Sequence, residues 1–125
     1  MKPLFSIVVL PVAFLFVAPA LAQAPQSMCN IAGNRAIMGA NMEGAFDVQA
    51  GQGCMSDISP QGTLTSSEVS QRPQHGTVRM VDKDTWTYEP APGYRGPDAF
   101  AITATGQSID QKPGTSVLSF KVNVK

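Results

Sequence analysis

The stretch 71–100 limits what the chain can fold into more than any other part. It reads as a β-hairpin, a Pro/Gly corner and the start of a further strand. Residues alternate from Thr77 to Val81 and again from Thr85 to Glu89, the period of half-buried strands. Val78 and Met80 share a face of the first strand, and Trp86 and Tyr88 share a face of the second. A three-residue loop of Asp82, Lys83 and Asp84 sets Met80 opposite Trp86 and Val78 opposite Tyr88. A two-residue loop would set Met80 opposite Thr85 and turn the aromatic face away. A slip of one residue inverts every side chain of a strand, so burial selects the three-residue loop. Such loops usually close on a residue in the left-handed region, which Asp84 enters less readily than glycine.

The rest of the chain extends this pattern. Pro90, Pro92 and Pro97 punctuate the next stretch; proline donates no ladder hydrogen bond, so this is a corner. Phe100, Ile102 and Ala104 then alternate with Ala101, Thr103 and Thr105 as a new strand. Leu118, Phe120, Val122 and Val124 alternate with Ser119, Lys121 and Asn123, the cleanest strand of all. Upstream, Phe46, Val48 and Ala50 alternate with Asp47 and Gln49. The stretch 63–71 is rich in Thr, Ser and Val, with an alternation broken between Leu64 and Val69, the mark of a bulge. Residues 56–62 and 106–114 read as loops. Gly33, Gly39 and Gly44 limit 31–45 to a turn or two of helix, although Met38 and Met42 have helical spacing.

Six or seven strands with a turn about every ten residues, and no long amphipathic helix, define an all-β antiparallel sandwich. Val78, Met80, Trp86, Tyr88, Phe100, Ile102, Phe120 and Val122 are expected to line one core.

Three motifs then carry a resemblance. Residues 73–78 read Pro-Gln-His-Gly-Thr-Val, residues 85–90 read Thr-Trp-Thr-Tyr-Glu-Pro, and residues 93–100 read Gly-Tyr-Arg-Gly-Pro-Asp-Ala-Phe. Their order and spacing over 71–124 resemble bacterial immunoglobulin-like and cadherin-like domains. Asp84 stands where that family usually has glycine. The resemblance implies an immunoglobulin-like sandwich of about seven strands, with His75, Gly76, Pro90, Gly96 and Asp98 as structural motif positions. Asp98 is expected to bond backbone amides within its own corner. The resemblance also implies a binding or structural role, exercised through end loops and edge strands.

The amino terminus reads as a secretory leader: Met-Lys, an apolar run over 3–18, then Ala20-Leu21-Ala22, a small-x-small cleavage pattern. Cleavage is expected after Ala22, with Ala24 as the other choice. The run is too short and too interrupted by proline to span a membrane comfortably, so no span is expected in the mature protein. This divides the chain into a leader (1–22), a glycine-rich segment (23–45) and the sandwich (46–125). The expected location is periplasmic or secreted. Cys29 and Cys54 are the only cysteines, and an even count in an oxidising compartment points to a disulfide. By chain entropy a loop of about 25 residues contributes ~3–4 kcal/mol.

Nine Lys/Arg balance nine Asp/Glu, which gives no basic surface for nucleic acid. His75 sits in a turn, without a Gly-x-Ser-x-Gly elbow or a Cys/His partner signal. Asp82 and Asp84 flank a tight loop, where Asp is a common turn former, and calcium needs more oxygens than two such groups supply. Met28, Met38, Met42 and Met55 gather near the amino terminus; thioethers suit Cu(I), but they also fill irregular core gaps. The expected function is a non-catalytic exported module that binds a protein or another cell-envelope component, with no cofactor. The alternative is a small periplasmic copper- or calcium-binding protein, or an enzyme.

Overall fold

The structure, a computed structural model, describes residues 3–4, 8–15 and 27–125. The expected cleavage points after Ala22 and Ala24 lie outside the described residues. Leu4, Val8, Val9, Leu10, Val12, Phe14 and Leu15 are exposed, and residues 3–4 and 8–15 form neither helix nor strand. Among the described residues no helix is long and apolar enough to cross a membrane.

The hairpin takes the register that burial selects, with Val78 opposite Tyr88 and Met80 opposite Trp86. Asp84 does not close the loop in the left-handed region, because Gln111 is the one described non-glycine residue with positive φ. An Asx turn replaces that conformation: the Asp84 amide donates to the Asp82 carboxylate at 3.1 Å. The Val81 amide donates to the Thr85 carbonyl at 2.8 Å and closes the turn.

Nine strands form two packed sheets among the described residues: β1 (Ser27–Met28), β2 (Ala32–Gly33), β3 (Met42–Val48), β4 (Cys54–Asp57), β5 (Thr63–Gln71), β6 (Gly76–Met80), β7 (Thr85–Pro90), β8 (Gly96–Gln107) and β9 (Pro113–Val124). One sheet runs β1-β4-β7-β6 and the other β2-β3-β9-β8-β5. The protein is an immunoglobulin-like β-sandwich. The count exceeds seven because the amino-terminal segment adds two strands of two residues each, β1 and β2. The pairing is mixed, not wholly antiparallel: β1 runs parallel to β4, and β3 runs parallel to β9. Parallel partners need a long connection, and most of the domain lies between β3 and β9.

Several local expectations change. Residues 31–45 hold no helix; Met42 opens β3, which runs across the boundary drawn between 45 and 46. Ser56 and Asp57 belong to β4, not to a loop, because β4 completes the ladder on the free side of β7. The polar loop shrinks to residues 108–112, as β8 and β9 extend past Gly106 and Gly114. The bulge in β5 is double, with register shifts at Leu64/Ser66 and at Val69/Gln71. β5 is the outermost strand of its sheet, and bulges twist an edge away from further pairing.

Both sheets turn aromatic rings inward. Trp86 and Tyr88 from β7 are fully enclosed, and Phe46, Phe100 and Phe120 are almost so. The Trp86 ring lies 5.1 Å from that of Phe100 and 5.0 Å from that of Phe120. Tyr88 stacks on Phe100 at 5.8 Å with planes 8° apart. Phe46 touches all four of the other rings. Ile102 and Val122 are buried beside them, while Val78 and Met80 are half-buried against the cluster. The difference follows position, since β6 is the outer strand of its sheet. Among the described residues the Trp86 indole N–H has no hydrogen-bond acceptor; the rings of Phe46, Phe100 and Phe120 pack around the indole, and an aromatic face is only a weak substitute.

Trp86→Ala is expected to cost about 3–5 kcal/mol, the range for large aromatic truncations in cores, measured by urea denaturation. A loss under about 1 kcal/mol would place the indole at the surface.

Candidate functional site

The sequence motifs converge on one carboxylate. Asp98 sits near the start of β8 and is buried. Four donors reach it: the Gln74 amide at 3.0 Å, the His75 amide at 3.2 Å, the Ala99 amide at 3.0 Å and the Tyr88 hydroxyl at 2.8 Å. Only Ala99 belongs to its own corner; the others come from the turn before β6 and from β7. A carboxylate has lone pairs for about four donors, so Asp98 is saturated.

The glycine at 76 follows from this geometry. A Cβ there would lie 2.6 Å from the Glu89 carbonyl oxygen and 2.9 Å from the Tyr88 hydroxyl. Only a bare backbone lets Tyr88 pass beneath the turn to Asp98. Gly76 pairs with Pro90 at the end of the hairpin. The His75 carbonyl accepts the Ala91 amide at 2.8 Å, and the His75 ring stacks on Tyr94, centroids 4.1 Å apart and planes within 5°. Gly96, with φ of 136°, turns the corner into β8 beside the Tyr94 hydroxyl, which donates to the Pro97 carbonyl. His75, Gly76, Pro90, Gly96 and Asp98 thus gather at one end of the sandwich, where each holds backbone in place.

Other candidates lie apart from this cluster. Asp82 and Asp84 share a hydrogen bond that holds Asp82 below the ordinary carboxylate value and pushes Asp84 above it. Among the described residues no group of three or more His, Cys, Asp or Glu is placed to hold a metal ion. The four amino-terminal methionines separate: Met28 and Met55 pair on neighbouring strands, whereas Met38 is buried and Met42 is half-buried against the core. Cys29 and Cys54 form the disulfide, with Cα atoms 5.0 Å apart.

Sequence reasoning missed a second polar cluster. Ser116 is buried; its hydroxyl accepts the Gly39 amide at 2.9 Å and donates to the Ile37 carbonyl at 3.1 Å. The Asn41 side chain accepts the Val117 amide at 3.0 Å. A serine on the inward face of an otherwise apolar strand was the available signal.

The fold and its saturated carboxylate define a small sandwich domain in which Asp98 and its partners position backbone. The chain belongs to the bacterial Ig domain family, whose model it matches over residues 30–123. That match begins upstream of β2 and so takes in most of the glycine-rich segment. A comparison with curated proteins found no match.

Burial first, and the hydrogen bond to Asp98 second, push the Tyr88 phenol well above its ordinary value of 10. The folded state therefore keeps a proton that the unfolded chain releases. The associated stability is complete below pH 10 and is lost as the pH climbs beyond it. Tyr88→Phe is expected to cost about 1.5–3 kcal/mol at neutral pH, the range for a bond to a charged group. It is also expected to flatten the alkaline fall in unfolding free energy. Curves for the two proteins that stay parallel across the alkaline range would contradict the buried Tyr88–Asp98 bond.

Proposed function

We propose that this is a non-catalytic, exported module of the bacterial cell envelope that binds a protein or envelope component. The observation that carries the reading is the use made of its reactive side chains. Asp98 is saturated by four donors, Tyr88 is buried as one of them, and His75 is stacked on Tyr94. Groups that could otherwise do acid–base chemistry are committed to the fold.

Export is supported by the leader-like amino terminus and by the Cys29–Cys54 disulfide, which suits an oxidising compartment. Binding through loops and edges is supported by family membership and by the exposed 82–84 and 108–112 loops. Fold alone fixes no partner, and surface loops are where such domains usually carry recognition.

Mass spectrometry of the protein recovered from periplasm and medium tests export. The expected product begins at Gln23 and lacks two hydrogens, as a disulfide requires. A full-length chain with two free thiols, confined to the cytoplasm, would overturn it. Co-sedimentation with isolated envelopes tests binding; saturable retention is expected, and retention that never saturates would count against a specific partner.

A further inference from the structure

The segment 29–37 crosses from one sheet to the other over an open side of the sandwich. Ile31 and Ala36 pack from it against the core. Beneath it lies a groove of about 370 Å³ whose apolar wall includes Met42, Ile58, Leu118 and Phe120.

The two ends of this strap are held by different chemistry. At one end Cys29 is bonded to Cys54 on β4, and its amide donates to the Met55 carbonyl at 2.8 Å. At the other end the holding forces are non-covalent. Met38 is 2% exposed, Ser116 bonds both Gly39 and Ile37, and Asn41 takes the Val117 amide. Gln61 exchanges backbone bonds with Ala36 and Met38 at 2.9 and 3.0 Å. Between the two anchors the strap has only the two-residue strand β2. So short a pairing holds little without its anchors.

We propose that Cys29–Cys54 is a redox-operated clasp. Closed, it holds the strap over Leu118 and Phe120. Opened, it releases residues 27–35 and uncovers the apolar groove, while residues 36–48 stay latched through Gln61, Ser116 and Asn41. The opening step is thiol–disulfide exchange with a dithiol reductant. The reductant's thiolate attacks the sulfur of Cys29, a half-buried residue where Cys54 is buried, the S–S bond breaks, and Cys54 leaves as thiolate and is protonated. The reductant's second thiol then displaces Cys29. Two electrons and two protons pass to the protein, and the reductant ends as its own disulfide. The inference concerns the strap alone and stands whatever the partner or location.

Hydrogen exchange on the oxidised and dithiothreitol-reduced full chain tests it. Reduction is expected to speed exchange over 27–35 by roughly tenfold or more, with 36–48 and 113–124 nearly unchanged. An environment-sensitive apolar dye is expected to bind the reduced form more strongly. Ser116→Ala in the oxidised protein is expected to do the opposite, loosening 37–41 while the Cys29 end stays held. Unchanged exchange over 27–35 on reduction would overturn the clasp. Equal loss across 27–48 would overturn the separate latch. The native chain with reductant keeps the test decisive even if the serine variant fails to fold.

Discussion

The carboxylate of Asp98 is the point on which the arrangement of this domain depends. It belongs to β8 in one sheet, and it takes the hydroxyl of Tyr88 from β7 in the other. It also takes two amides from the turn that leads into β6. One side chain thereby ties the hairpin, the corner before β8 and the crossing between sheets. A buried carboxylate is costly to leave unpaired, and its four donors are what make the position tolerable. Removing any one of them leaves the rest to compensate in a largely buried place.

The apolar side of the same tie is the five-ring cluster. Tyr88 is shared by both: its ring stacks on Phe100 and its hydroxyl bonds Asp98. The two systems therefore constrain each other. The rings set how closely the sheets approach, and the carboxylate sets how β7 is placed along β8. Aromatic packing alone tolerates sliding, whereas a hydrogen bond with defined partners does not. Outside this frame lie the loops, the outer strands and the strap, and the proposed binding role rests on the loops and outer strands.

What could be read from the sequence follows the range of the interactions. The hairpin register was legible because burial and loop length act on the same few residues, as Val78 with Tyr88 and Met80 with Trp86 show. The core strands were legible for the same reason. The parallel pairing of β3 with β9 was not, since nothing near Phe46 marks Val122 as its neighbour. The role of Asp98 was legible only in kind: a backbone-bonding corner residue was foreseen, but not its reach to Gln74, His75 and Tyr88. The Ser116 latch was legible only as a lone polar residue on the inward face of β9, because its partners, Ile37 and Gly39, lie far away in sequence. Glycine spacing hid the strands of the amino-terminal segment, whose short pairings depend on β3 and β4 being already in place.

A double-mutant cycle between Tyr88→Phe and Asp98→Asn tests the central tie most directly. Asparagine keeps the shape of the side chain but cannot accept through both of its terminal atoms. The unfolding free energies are expected to show a coupling of about 1.5–3 kcal/mol, the scale of a bond to a charged acceptor. Single effects that add to within about 0.5 kcal/mol, as independent sites do, would contradict the account.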